Sequence, residues 1–385
     1  MPLLQEDIYY KHQRMTESAF MFLRATYYRW IQLWDAHCLA LQASPNVLAI
    51  GDVHFENFGT WRDSDGRLIW GINDFDEAAT LPAAIDLVRL AVSINLAIFE
   101  KSVTLDANVM VETLIDGYAS HCDRGGGAFV LEENNEWLRK IAVNKLRHPS
   151  QFWPKFDNLV PAQATVFKTA RRALTLAMPE NAQDVKFLRR TAGLGSLGRP
   201  RVVALAKWGD SFVCREAKRV APPASYWARG HHKQKKINVM AIVRKEERVP
   251  DPFFHIRGKW VVRRLSPHCG KIELSSFSKE KTILKLVAAM GAAIGNLHGA
   301  SSDKKLLAKD ARDRSKDIRK AINKMTDLTI KDWLAWKKAQ KKIAKRIAKR
   351  IAKKRGKKLD DLRIAKPGLK KHKTVKKLKK LKSKA

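Results

Sequence analysis

The chain has 385 residues, 45% of them hydrophobic and 11 of them Trp, with 75 Lys and Arg against 38 Asp and Glu for a formal net charge of +37. That length buries one large core or two smaller ones, and Cys38, Cys122, Cys214 and Cys269 lack the paired spacing of a zinc site or a disulfide framework. The polar, acidic start Met-Pro-Leu-Leu-Gln-Glu-Asp-Ile does not read as a secretory leader, and the longest apolar helical stretch, residues 283–297, contains Lys285 and Asn296 and is too short to span a bilayer, so a cytoplasmic protein without a transmembrane segment is expected.

Residues 18–41 have helical apolar spacing through Phe22, Ala25, Tyr28, Trp30, Leu33 and Trp34. Residues 46–50 form a short apolar run ending at Gly51, which predicts a buried strand that delivers Asp52 at its exit. Arg62-Asp63-Ser64-Asp65-Gly66 carries turn chemistry, and residues 68–72 predict a second strand running back beside the first. Such a hairpin brings Asp74, within Asn73-Asp74-Phe75-Asp76-Glu77, next to Asp52 and Asn57 of Gly51-Asp52-Val53-His54-Phe55-Glu56-Asn57. Two carboxylates and an amide oxygen converging at a strand end are hard ligands of the kind Mg²⁺ accepts while keeping water and phosphate oxygens in its other positions. A carboxylate left free of the metal can take a proton from an attacking hydroxyl. Asp and Asn also populate ordinary turns; spacing, hairpin and second acidic cluster together favour the functional reading.

Pro82 stands where it can open a helix through Ile85, Leu87, Leu90, Val92 and Ile94, with Asp86 as a structural cap or loop anchor. Residues 106–119 and 134–146 are further helices, Asp123 to Gly127 a flexible loop that no strand precedes, and residues 152–161 a connection between lobes. In Thr191-Ala192-Gly193-Leu194-Gly195-Ser196-Leu197-Gly198-Arg199-Pro200 the glycines let backbone N–H groups approach phosphate without a Cβ in the way. A hairpin follows: Val202 to Leu205, a turn at Trp208-Gly209-Asp210, then Ser211 to Lys218. Glycines that precede a strand pair and not a helix disfavour a dinucleotide fold. Residues 259–265 predict another strand, Ser266-Pro267 a turn, and residues 280–298 a helix with His298 beside its last carbonyls.

Charge concentrates at the end of the chain. Residues 331–385 hold 25 Lys and Arg against 3 Asp and Glu, which is +22 of the +37. Ile343, Ile347 and Ile351 repeat every four residues among lysines and arginines, predicting a basic amphipathic helix, and after Gly356 the Lys-rich sequence is expected to lose fixed structure. Such a tail suits nonspecific nucleic acid phosphates or an anionic membrane surface; with little aromatic interleaving past Trp336, base stacking by the tail is not expected.

Gly51-Asp52-Val53-His54-Phe55-Glu56-Asn57 is similar to the Gly-Asp-x-His-x-x-Asn catalytic loop of aminoglycoside and choline phosphotransferases, and Asn73-Asp74-Phe75-Asp76-Glu77 resembles their metal motif. The chain resembles more closely a kinase-like bacterial family, domain of unknown function 2252, whose pattern includes Phe22-Leu23-Arg24 and Asp86-Leu87-Val88-Arg89-Leu90-Ala91, over roughly residues 15–300. The resemblance implies Asp52 as catalytic base, Asn57 as a metal ligand and Asp74 as the ligand bridging metal to the β- and γ-phosphates. It implies ATP and Mg²⁺ as cofactors, with Gly193, Gly195, Ser196 and Gly198 as phosphate cover. For the phosphate-binding lysine the chain offers Lys218, with Arg215 as the alternate, because Arg215-Glu216-Ala217 stands where the family has Lys-Glu-Ala; Glu246 or Glu247 is the expected partner. Ile50 replaces the His that phosphotransferases place before Gly-Asp.

The expected fold is α+β, a protein-kinase-like two-lobed domain over residues 1–300, circularly rearranged because the catalytic loop precedes the glycine loop. It divides into a catalytic-loop helical part (1–185), a glycine-loop strand part (186–265) and a returning helix (266–300), followed by a basic tail (301–385). Three functions remain open: an ATP- and Mg²⁺-dependent phosphotransferase with an unknown hydroxyl acceptor, a catalytically silent kinase-like module that binds through its tail, and a metal-dependent phosphohydrolase.

Overall fold

A computed structural model describes residues 4–132, 135–144, 148–244, 248–272, 274 and 277–355. The first compact unit is Met1–Trp333, and the chain from Leu334 onward belongs to a second. The first unit opens with helices α1 (Gln5–Arg14), α2 (Ala19–Ala25) and α3 (Tyr27–His37), then strands β1 (Asn46–Ala49), β2 (Phe58–Arg62), β3 (Leu68–Ile72) and β4 (Ala79–Pro82). Next come α4 (Ala84–Phe99), α5 (Ala107–Asp123), β5 (Phe129–Val130), α6 (Glu136–Asn144), α7 (Pro149–Phe152) and α8 (Lys168–Thr175). A strand-rich segment holds β6 (Gln183–Arg189), β7 (Arg201–Trp208), β8 (Ser211–Arg219), α9 (Ala224–Ala228), α10 (Val239–Val243), β9 (His255–Arg257) and β10 (Trp260–Leu265). Helices α11 (Glu280–Gly299) and α12 (Lys304–Asp313) follow, and α13 runs Ser315–Arg355. The fold is therefore mixed α and β, and among the described residues no helix is long and apolar enough to cross a membrane.

Among the described residues three antiparallel sheets form, ordered β1-β4, β2-β3-β5 and β6-β7-β8-β10-β9. The expected pairing of residues 68–72 with 46–50 is corrected here. β3 pairs with β2, Phe58 opposite Ile72 and Arg62 opposite Leu68, while β1 pairs with β4. Asp63 sets this register: its Oδ1 accepts from the backbone N–H groups of Asp65 (3.0 Å) and Arg67 (2.8 Å), and so tight a turn pairs the residues that directly flank it. Pro82 ends β4, and α4 opens after it at Ala84. The expected helix over 18–41 breaks at Thr26, whose hydroxyl donates back to the Phe22 carbonyl at 2.7 Å.

Of the 16 residues of α4, 14 are buried, the pattern of a helix at the centre of a core. α11 packs along α5 through glycines: a Cβ on Gly117 would overlap the Ala288 carbonyl oxygen, and one on Gly291 would overlap that of Leu114. Ile318, Ile322 and Met325 of α13 are fully buried, so burial holds residues 301–333, the first part of the expected tail, in the first unit, which ends at Trp333. From Leu334 the helix continues with Ile343 and Ile347 exposed; the segment after Gly356 lies outside the described residues.

Alternation along the five-stranded sheet divides it into two kinds of face. Val202, Ala204, Ala217, Trp260 and Val262 pack on α8, while Arg201, Glu216, Lys218 and Arg263 fall on the opposite face by their period of two. At the end of that face, Val203, Leu205 and Cys214 pack against Phe152 and Phe156.

Gly117→Ala and Gly291→Ala should each destabilise the protein by about 1–3 kcal/mol through overpacking, although alanine is the better helix former by about 1 kcal/mol. Urea unfolding reads this directly, and a gain in stability would contradict the close approach of α5 and α11.

Candidate functional site

The turn carrying Asp52 is fixed by the core helix beneath it. Asp86, wholly buried in the first turn of α4, accepts from the backbone N–H groups of Ile50 (2.7 Å) and Gly51 (2.9 Å). Gly51 has φ +85°, and a Cβ there would lie 2.5 Å from the Glu77 carbonyl oxygen and 2.8 Å from the Tyr27 hydroxyl, so only glycine fits. Asp86 is thus the loop anchor expected. His298 is more than a helix-end residue: it is buried between Asp86 (Nε2 to Oδ2, 3.0 Å) and the Tyr118 hydroxyl (3.0 Å at Nδ1). With Nε2 facing an acceptor-only carboxylate, that nitrogen is the donor of the pair.

One turn along α4, the fully buried Arg89 donates to Asp52 Oδ1 and to the Leu23 carbonyl (2.8 Å), with its guanidinium carbon 4.9 Å from the Trp30 ring and 5.4 Å from the Tyr27 ring. Burial nonetheless dominates at Asp52 and, against the pull of Arg89, raises its pKa to about 6. Asn57 closes a reciprocal cap with His54: Asn57 Oδ1 accepts from the His54 N–H (2.7 Å), and His54 Nδ1 accepts from the Glu56 N–H (3.2 Å). Burial pushes the His54 pKa well down, leaving a neutral ring. Glu56 in turn pairs with Arg24 at 2.7 Å. Because the Asn73 N–H donates to the Asn57 carbonyl (3.0 Å), the two acidic clusters meet at the open end of the β2–β3 hairpin.

The charged face of the large sheet meets them there. Lys218 Nζ lies 3.0 Å from Asp74 Oδ1 and 2.7 Å from Asp76 Oδ1. Burial works to raise the Asp74 pKa, but Lys218 and Arg263 overcome it and hold the carboxyl well below the usual range. Two residues back on the same face, fully buried Glu216 binds Arg190, Arg201 (3.1 Å) and Arg263 (2.8 Å); these cations outweigh its burial and keep it ionised.

The third wall is the glycine segment. Gly193 takes φ +74°, and a Cβ on Gly195 would lie 3.6 Å from Asp52 Oδ2. Ser196 Oγ accepts from Arg201 (2.6 Å). Lys11 of α1 donates to the Gly195 carbonyl (3.2 Å), and burial lowers its pKa to about 8. Glu77 accepts from the Ala224 N–H, and burial raises its pKa to about 8.

These walls enclose a cleft of about 270 Å³ lined by Asp52, Asn57, Asp74, Gly193, Gly195 and Ser196, all singled out from sequence. Lys218 stands behind Asp74 and Asp76 with its side chain 4% exposed. Two expected residues are not brought in. Gly198 lies outside the lining, its carbonyl accepting from Leu4 N–H (3.0 Å). Arg215 sits on the opposite sheet face, donating to the Ala177 and Cys214 carbonyls (3.1 Å each) over the Phe253 ring. Glu246 and Glu247 lie outside the described residues. Sequence reading missed Lys11, Arg190, Arg201, Arg263 and Lys271 as lining cations, while Arg24 and Arg199 stood within the quoted strings.

The donor set suits a metal held chiefly by substrate. Among the described residues no group of three or more His, Cys, Asp or Glu is placed to hold a metal ion by itself. Asp74, 40% exposed, and Asn57 remain as one carboxylate and one amide oxygen, which matches the one or two protein ligands Mg²⁺ uses when phosphates and water complete its shell.

Asp86→Ala leaves two backbone donors and His298 without their acceptor and should cost about 3 kcal/mol or more, measured by urea unfolding. A loss within about 0.5 kcal/mol, the usual surface value, would mean that Asp86 does not hold the Asp52 turn.

No curated protein and no solved structure matches the chain. One family pattern matches residues 3–149 and again residues 132–339, and it is described as an uncharacterized protein conserved in bacteria (DUF2252). The first stretch contains Asp52, Asp74, Asp86 and Arg89, the second the glycine segment and Lys218. With most of its length matched, the chain belongs to the DUF2252 family of bacterial proteins.

Proposed function

We propose that the protein is an ATP- and Mg²⁺-dependent phosphotransferase acting on a hydroxyl acceptor, with a kinase-like two-lobed fold whose catalytic loop precedes its glycine loop. The observation that carries this reading is convergence. Asp52, Asn57 and Asp74 meet the glycine segment, more than a hundred residues further along the chain, around one cleft, and Lys218 backs Asp74 from behind.

In this reading Asp52 accepts the acceptor's proton. The acceptor oxygen bonds to the γ-phosphorus, the bond to the bridging oxygen breaks, and the nucleoside diphosphate leaves. Arg89 aims the carboxylate, and a pKa of about 6 keeps it ionised at neutral pH yet more basic than an ordinary aspartate. Asp74 and Asn57 would hold Mg²⁺, which supplies charge neutralisation between the phosphates. Seven cations line the cleft against five carboxylates, and Glu77 is held largely neutral near pH 7, so the site is biased towards a polyanion. A neighbouring pocket of about 380 Å³, lined by Phe152, Phe156, Phe254 and Leu265, shares Asn73, Arg190, Arg263 and Lys271 with the cleft and suits a purine.

A silent binding module draws support from Lys218, which is engaged by both Asp74 and Asp76, and from the +22 carried by residues 331–385, which suit anionic partners. A phosphohydrolase is less supported, because the one His of the catalytic loop, His54, is used as a cap.

Thermal unfolding with ATP distinguishes these. The phosphotransferase should be stabilised by ATP only with Mg²⁺, by about 2.7 kcal/mol at a hundredfold excess over Kd, and Asp74→Asn should abolish the effect. A shift independent of both Mg²⁺ and Asp74 would reduce ATP to a polyanion meeting a polycation. The pH profile is a second check. For turnover of ATP with water as slow acceptor, kcat/KM should rise tenfold per unit up to pH about 6, as Asp52 ionises, and decline above about 8, as Lys11 loses its charge and Glu77 gains one. An acid limb near 4, where an unperturbed aspartate titrates, would remove Asp52 as the base.

A further inference from the structure

A second, larger groove of about 880 Å³ opens at the mouth of the cleft, with which it shares Tyr28, Arg199 and Ala224. Its chemistry differs from that of the cleft. Arg199, Arg219, Lys235 and Lys259 line it together with two histidines, and none of its lining residues is acidic. Its other wall is aromatic: Trp227 is 54% exposed and Tyr28 41% exposed, the rings standing edge to face at 5.8 Å. His232 lies 6.4 Å from the indole.

The support beneath these rings is rigid. Trp227 belongs to α9, which is tied to α3, the helix that carries Tyr28, by the two-pronged pair of Arg229 with Asp35 (2.8 and 2.9 Å). The first N–H of α9, from Ala224, donates to Glu77 of the cleft. Asn238 donates to the Tyr226 hydroxyl (3.0 Å) and the Ala78 carbonyl (2.9 Å), fixing the turn after α9. Large aromatic side chains held this firmly while left in water mark a binding surface.

We propose that this groove binds single-stranded nucleic acid. Unpaired bases stack on Trp227 and Tyr28, and the phosphates between them meet Arg219, Lys235 and Lys259, the pairing of aromatic platform and cationic track that single strands require. An acidic peptide would use the cations and leave the ring faces idle. A duplex has no base free to stack. The groove is a different surface from the basic segment after residue 331, where aromatic interleaving is sparse.

The test is fluorescence anisotropy of labelled hexathymidylate with the full chain over a series of salt concentrations. Because the basic segment also attracts phosphates, the decisive quantity is the loss on removing a ring. Trp227→Ala should weaken binding about tenfold at every salt concentration, the stacking contribution of a base on an aromatic ring. Lys235→Ala should instead lower the salt slope by about one phosphate contact. Trp208→Ala, an equally exposed tryptophan (55%) at the β7–β8 turn, should change nothing. Wild-type affinity in Trp227→Ala, or an equal loss in Trp208→Ala, overturns the proposal. All three side chains are exposed, so unchanged thermal unfolding of the variants excludes a folding artefact. The proposal does not rest on phosphoryl transfer: Asp74→Asn should leave oligonucleotide affinity intact, and the two readings fail separately.

Discussion

A buried carboxylate on a core helix organises the site. Asp86 takes two backbone N–H groups from the Ile50–Gly51 turn and a third hydrogen bond from His298, and Arg89 on the same helix holds Asp52. An isolated buried charge costs several kcal/mol, and here three donors converge to offset that cost. The consequence is positional. The loop is bolted to a helix buried along nearly its whole length, so Asp52 is presented from a rigid base. His298 extends the same bracing to α11 and, through Tyr118, to α5.

Opposite this base, the sheet brings charge by alternation. Lys218 and Glu216 share a face with Arg201 and Arg263 because strand side chains repeat every two residues. Glu216 gathers three arginines that line the cleft and would otherwise repel one another, and Lys218 is left to meet Asp74 and Asp76. Of the two residues expected at the phosphates, Arg215 points to the other side of the sheet with Ala217, which lies in the core against α8.

Local chemistry made part of this legible. The β7–β8 hairpin followed from the Trp-Gly-Asp turn between two strand-like runs, and Asp52, Asn57 and Asp74 stood out because acids and amides cluster on either side of a turn. Period-two alternation alone would have separated Lys218 from Arg215. The β2–β3 pairing was missed because Phe58-Gly59-Thr60-Trp61-Arg62 has a glycine at its second position and follows the loop without a break signal. Lys11 and Lys271 carried no signal: they reach the cleft from positions far away in the chain, and only tertiary packing brings them there. The boundary at Leu334 was hidden for a related reason, since Ile318, Ile322 and Met325 are buried amid a lysine-rich sequence whose charge suggested exposure.

The glycine segment sets a condition on the proposed chemistry. Gly195 lies so near Asp52 that a side chain there would touch the carboxylate, so the segment forms the wall of the cleft next to the proposed base. Two tethers hold it down, Lys11 to the Gly195 carbonyl and Arg201 to Ser196 Oγ. Both tethers are cations, and a phosphate oxygen carries a full negative charge that a carbonyl or hydroxyl oxygen lacks, so each gains Coulomb attraction by turning to a bound polyphosphate. A polyphosphate entering the cleft competes for the groups that keep the segment closed. On the proposed reading, a bound donor therefore draws Lys11 and Arg201 towards itself and loosens the hold of the glycine segment beside Asp52.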